Sequence, residues 1–233
     1  LEPQKLLATI SAHAPSSLIL VPELLRVLVM AAEKGWQPPA SLRFIAVGGA
    51  SVAPELLANA AQLGLPVYEG YGLSECGSVV CVNTATAQRR GSVGRPLPHV
   101  RVRLDGQQQI MVSGPLMSGY LGDAARPGAE RGELATGDLG EIDADGFVYI
   151  RGRLKNLIIT SLGRNISPEW VERELQTEAA IGMAVVCGEA RPYLAALISP
   201  AGAAGSGQIA AAVARANARL PDYARLRRWA VVD

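Results

Sequence analysis

Three short, largely apolar runs set apart by helix-length segments constrain this chain more than any other feature. They are Ser17-Leu18-Ile19-Leu20-Val21, Leu42 to Val47, and a third that begins at Val67-Tyr68. Runs of this length without polar alternation suit strands covered on both faces. The segments between them read as helices. Pro3 to His13 carries Leu6, Leu7 and Ile10 at helical spacing, and Pro22 suits the first turn of a helix that buries Leu24, Leu25, Leu28 and Val29 and stops at Gly35. Pro54 to Leu63 is a further helix, closed by Gly64. Strands alternating with such helices predict an α/β fold around a parallel sheet.

From Ser78 the texture changes. The runs Val79–Val82, Val100–Leu104, Ile110–Val112 and Phe147–Ile150 are short and broken by Gly, Pro and Asp, which predicts antiparallel strands and hairpins, with Asp145-Gly146 as a turn. A helix is predicted over Pro168–Gln176 with Ser167 as N-cap, then strands over Met183–Cys187 and Leu194–Ile198. Gly202 to Gly207 reads as a flexible surface loop, and Gln208–Arg219 as an alanine-rich helix with a weak apolar face.

Composition narrows the function classes. With 22 basic and 21 acidic residues the formal net charge is +1, which gives no general reason to expect nucleic acid as a partner. An apolar content of 49% is enough for a sizeable core. The three cysteines, Cys76, Cys81 and Cys187, lack the number and spacing of a disulfide framework or a zinc site, so a reduced, cytoplasmic protein is expected. No apolar run reaches the ~18 residues that would predict a transmembrane segment, and the opening Leu-Glu-Pro-Gln-Lys is not a signal peptide.

Four stretches could carry chemistry. Gly48-Gly49-Ala50-Ser51 follows a strand; glycine admits a ligand close to the backbone, although a strand ending in Gly-Gly is commonly just a tight turn. Glu69-Gly70-Tyr71-Gly72-Leu73-Ser74-Glu75 also lies at a strand end, where α/β sheets bind ligands. Its ring could stack on a base, its hydroxyl could hold a phosphate oxygen and its carboxylate could bind Mg²⁺; a loop with a packed Tyr and a solvated Glu fits as well. In Ala135-Thr136-Gly137-Asp138-Leu139-Gly140 the short carboxylate of a glycine-rich turn could accept from ribose hydroxyls, or Asp138 could simply form the turn. Arg151-Gly152-Arg153-Leu154-Lys155-Asn156 reads as a solvated basic face or as a joint between domains.

In type and order these stretches resemble the adenylate-forming, AMP-binding superfamily of acyl-CoA synthetases, luciferases and peptide-synthetase adenylation domains. Tyr71-Gly72-Leu73-Ser74-Glu75 is similar to the family's Tyr-Gly-x-Thr-Glu motif, with Ser for the usual Thr. Gly91-Ser92-Val93-Gly94-Arg95-Pro96, Ser113-Gly114-Pro115-Leu116-Met117-Ser118-Gly119-Tyr120, Thr136-Gly137-Asp138 and Gly152-Arg153-Leu154-Lys155 follow in the family's order. Ile159–Glu169 resembles the fatty-acyl-CoA synthetase, or long-chain fatty-acid–CoA ligase, branch.

The resemblance implies an AMP-forming ligase that uses ATP and Mg²⁺ to adenylate a hydrophobic carboxylic acid, releases pyrophosphate and passes the acyl group to CoA. A carrier protein as acceptor, an aryl acid as substrate, and a nucleotide-binding module without full catalysis are the alternatives. It implies that Tyr71, between Gly70 and Gly72, stacks on adenine, that Ala50 lines the adenine pocket, that Ser74 contacts the AMP phosphate and that Glu75 binds Mg²⁺. Asp138 would hold the ribose hydroxyls with Arg153 beside them, Lys155 would be the hinge and Gly163 would line the thiol tunnel. Residues 1–153 would be the rear of a large domain and residues 154–233 a small mobile one. The family's N-terminal phosphate loop and C-terminal catalytic Lys have no counterpart in the 233 residues, so the chain is expected to be a truncated portion that adenylates poorly by itself.

Overall fold

A computed structural model describes residues 2–121 and 132–232. It divides into two compact units: residues 1–136 with 140–150, and residues 137–139 with 151–233.

The first unit opens with α1 (Pro3–His13), β1 (Ser17–Leu20), α2 (Pro22–Glu33), β2 (Phe44–Val47), α3 (Pro54–Gln62) and β3 (Val67–Tyr71). Each helix begins on a proline, whose missing N–H costs nothing in the first turn. Strands β1, β2 and β3 pair in parallel, as the alternation predicts, with Leu20 opposite Val47 and Val47 opposite Glu69. Leu25, Leu28, Ile45, Val47 and Ala60 form the centre of one core. Strand β2 is shorter than the apolar run that predicts it, because Leu42 donates instead to the Pro39 carbonyl in a turn.

The sheet continues through two short antiparallel strands, β4 (Cys81–Val82) and β5 (Arg95–Pro96). The expected Val79–Val82 strand is cut to two residues; Val79 is exposed while Val80 is fully buried. A four-stranded sheet follows in the order β6 (Arg101–Leu104), β7 (Gln109–Ser113), β8 (Leu134–Ile142), β9 (Val148–Arg153). Strand β8 corrects the expected turn around Asp138: residues Thr136 and Asp138 face inward in an alternating pattern that begins with buried Leu134. The turn lies later, where Gly146 at φ +80° donates to the Asp143 carbonyl. Val80, Cys81, Ile110, Val112 and Val148 centre the second core of this unit.

The second unit contains a hairpin, β10 (Ile158–Ile159) with β11 (Asn165–Ile166), then α4 (Pro168–Gln176), β12 (Ile181–Cys187), β13 (Leu194–Pro200), α5 (Ser206–Arg219) and β14 (Leu226–Val231). Strand β13 is central, antiparallel to β12 and parallel to β14. The unit has its own core, with Val171, Leu175, Leu194, Ile198, Ile209 and Ala216 fully buried. One expectation fails here. The face of α5 is not weak: Ile209, Ala212, Val213 and Ala216 are all buried at helical spacing, and the two alanines allow close approach. Ser167 stands at the N-cap of α4 as expected, but its side chain makes no capping bond; its hydroxyl donates instead to Glu169 at 2.6 Å.

The three cysteines are free, and burial pushes the Cys81 thiol up to about 12, so it behaves as a small apolar side chain. No helix among the described residues is long and apolar enough to cross a membrane.

Candidate functional site

Strands β2 and β3 end side by side. A Cβ at Gly48 would lie 2.8 Å from the Gly70 carbonyl oxygen, so glycine is what lets the two strand ends meet. Ala50 lies exposed in the loop that leaves β2, and Tyr71 is the last residue of β3. Tyr71 is half-buried and packs against the second core, so it also has a structural role.

Immediately after Tyr71 the chain doubles back on itself. Val80 donates to the Tyr71 carbonyl at 2.8 Å and Ser78 to the Leu73 carbonyl at 3.0 Å. At Gly72 a Cβ would fall 1.6 Å from the Ser78 carbonyl oxygen. Ser78 itself takes φ +83°, an unfavourable region for a side chain, and Gly77 takes +72°. Ser74 to Cys76 form a single 3₁₀ turn that leaves the Ser74 side chain exposed and Glu75 half-buried. The Glu75 carboxylate accepts from the Tyr120 hydroxyl at 2.8 Å, and the Glu75 carbonyl accepts from the Met117 amide at 2.8 Å.

A buried network steadies this loop cluster. Asn83 is 2% exposed; its Nδ2 donates to the carbonyls of Glu69 (3.0 Å) and Ser92 (2.7 Å), and its Oδ1 accepts from the Arg89 amide. The Arg89 guanidinium reaches Asp143 (2.5 Å) and Asp145 (2.7 Å), and it lies 4.7 Å from the centre of the Phe147 ring. Partial burial acts to raise the Asp143 carboxyl. Hydrogen bonds from the Phe147 and Asp145 amides, Arg89 and Tyr149 prevail and bring it to about 2. The Gly91–Pro96 run thus has a structural part here: at Gly94 a Cβ would overlap the Val82–Asn83 backbone.

In the second unit Asp138 is 9% exposed, and one carboxylate oxygen lies 3.2 Å from Nε of the half-exposed Arg153. The structure therefore brings together the two residues that the sequence reading paired. Lys155 is exposed in a 3₁₀ turn, Leu154–Asn156. Beside it, Glu169 accepts from Asn156 at 2.5 Å and from Ser167 at 2.6 Å. Gly152 must be glycine because a Cβ there would lie 2.1 Å from the Ser167 hydroxyl. Gly163 takes φ +70° at the tip of the β10–β11 hairpin and donates to the Thr160 carbonyl.

The arrangement offers oxygen ligands for a hard cation but no closed metal cage. Among the described residues there is no group of three His, Cys, Asp or Glu that could hold a metal ion. One fixed carboxylate suits Mg²⁺, which keeps several waters and binds largely through substrate phosphates. The pairing of Tyr120 with Glu75 spans 45 residues, and no local sequence pattern reveals it.

Two family models match the chain: AMP-binding enzyme over residues 1–121 and AMP-binding enzyme C-terminal domain over residues 155–233. A long-chain-fatty-acid–CoA ligase of Mycobacterium bovis is 37% identical over 155 residues, covering 65% of this chain and 26% of that protein. A 2-succinylbenzoate–CoA ligase of Bacillus cereus is 37% identical over 164 residues, covering 64% and 34% respectively. The solved O-succinylbenzoate–CoA synthetase of Bacillus subtilis in complex with AMP superposes with a TM-score of 0.85 at 28% identity, over 100% of this chain and 50% of that one. The chain thus corresponds to half the length of that solved structure and a smaller share of the curated relatives.

Proposed function

The chain belongs to the AMP-binding enzyme family, and we propose that it carries the nucleotide-binding part of an AMP-forming acid–thiol ligase. In this reading a carboxylate attacks the α-phosphorus of ATP. The bond to pyrophosphate breaks, and an acyl-AMP forms. The sulfur of CoA then attacks the acyl carbon and AMP leaves.

The observation that carries the reading is the Tyr71–Glu75 loop at the carboxyl end of a parallel strand, where α/β sheets bind ligands. Tyr71 offers a ring for adenine beside the open Gly48–Ala50 loop. Ser74 offers a hydroxyl to the phosphate, and Asp138, oriented by Arg153, offers acceptors to the ribose hydroxyls. Glu75 would hold Mg²⁺, which when bound neutralises charge developing on the phosphates. Residues 1–153 are read as the rear of the large domain and 154–233 as the small one, with Lys155 as the hinge and Gly163 lining the thiol path.

The acid is proposed to be hydrophobic, in line with the fatty-acid ligase among the relatives. An aryl acid is the second reading, favoured by the succinylbenzoate ligases. CoA is the proposed acceptor, with a carrier protein as the competing one.

Calorimetry of the chain with AMP tests the nucleotide assignment. Tyr71→Ala and Asp138→Ala are each expected to weaken AMP about tenfold or more, the range of one stacking or charge-assisted contact. Far-UV circular dichroism serves as the check on folding. Equal affinity in all three proteins would refute the assignment.

A further inference from the structure

Tyr120 stands out as a group that the reading above leaves without a task. It is 53% exposed, and among the described residues it belongs to none of the three cores. Its hydroxyl nevertheless donates to the Glu75 carboxylate at 2.8 Å. The segment that bears it is laid along the same turn: the Met117 amide donates to the Glu75 carbonyl at 2.8 Å, and a Cβ at Gly77 would stand 3.5 Å from Pro115. Glu75 is thus gripped twice by residues 117–120, once at its backbone and once at its side chain.

A glutamate has three rotatable bonds, and a half-buried one at a loop sweeps several positions unless something holds it. A phenol donating to a carboxylate oxygen is a charge-assisted bond that fixes the plane of the group and its reach. Where a carboxylate must meet a cation at about 2.1 Å in octahedral geometry, that fixing determines affinity.

We infer that Tyr120 is a positioning residue for the Glu75 carboxylate, and through it for a divalent cation carried by the nucleotide. The inference rests on the reading of Glu75 as the cation ligand. In this role Tyr120 acts through Glu75.

The experiment titrates Mn²⁺, a spectroscopically visible substitute for Mg²⁺, into the chain with ATP present, followed by electron paramagnetic resonance. Calorimetry with AMP in EDTA reports nucleotide binding without metal. Tyr120→Phe is expected to weaken Mn²⁺ binding about tenfold or more, the scale of one outer hydrogen bond to a metal ligand. It should leave the metal-free AMP affinity and the melting temperature unchanged. Glu75→Gln is expected to lose the cation dependence almost entirely. If Glu75→Gln binds Mn²⁺–ATP as the unaltered chain does, the assignment of Glu75 fails and the inference falls with it. If Glu75→Gln loses binding but Tyr120→Phe keeps it, the role of Tyr120 alone is overturned. A Tyr120→Phe chain that loses metal-free AMP affinity to the same degree would mark a structural role and also overturn it.

Discussion

At the scale of single residues, Gly72 is the position where geometry leaves no alternative. The next loop crosses so close that a methyl group would sit 1.6 Å from the Ser78 oxygen, and the three nearest atoms all belong to the backbone. No rotamer change can relieve that overlap. Gly72→Ala is expected to cost at least about 3 kcal/mol of stability, from strain that the loop cannot dissipate. Urea denaturation followed by fluorescence would measure it; a cost below about 1 kcal/mol would show the loop to be far softer than the contact implies. Asp138 illustrates the opposite case, in which the residue was legible but its surroundings were not. A Gly-Asp pair favours turns by local chemistry. The register of β8 instead turns Asp138 inward, where Arg153 faces it, and Thr136 inward, where its hydroxyl donates to the Ile110 carbonyl at 2.9 Å. A strand with polar residues on its inner face does not show the hydrophobic alternation by which strands are recognised.

At the scale of elements, the pairing of α4 with α5 is fastened by charge as well as by apolar contact. Glu178, just beyond α4, receives Arg219 at 2.9 Å and Arg215 at 2.6 Å, both from α5. Burial acts to raise the Glu178 carboxyl, but the two guanidinium hydrogen bonds outweigh it and the group ends below the usual carboxylate range. A depressed folded-state value means the stabilisation is complete above the unfolded value of about 4.3 and is lost as pH falls through the lower folded one. Glu178→Gln is therefore expected to destabilise the protein by about 1–2 kcal/mol near pH 7, a figure kept modest because both arginines are half-exposed. The difference from the unaltered protein should close below about pH 4. A gap that stays constant from pH 7 to pH 3 would show that the ion pairs contribute nothing. The helices themselves were legible to within a residue or two, since Pro at N1 and Gly past the end are chemical signals. Strand β14 was not, because Arg227 and Arg228 interrupt its apolar residues; the parallel pairing with β13 makes it a strand.

At the scale of the whole molecule, contacts divide the chain into residues 1–136 with 140–150 and residues 137–139 with 151–233, so that the short stretch 137–139 groups with the second unit. That grouping follows the pairing of β8 with its sheet neighbour β9. The more consequential fact is that, among the described residues, the buried core of the second unit draws only on residues from Ile158 to Leu226. A core made wholly from one stretch of chain gives that stretch its own cooperative unfolding, because its apolar burial is lost all at once and without reference to the other two cores. Scanning calorimetry is expected to resolve two transitions. Leu194→Ala removes a fully buried side chain from the central strand of the second unit. Its cost should be about 3 kcal/mol, and for a unit of this size that lowers one transition by roughly 10 °C or more while the other stays in place. A single transition that moves as a whole in Leu194→Ala would mean that the two units unfold as one body, and that separate cores do not confer separate stability here.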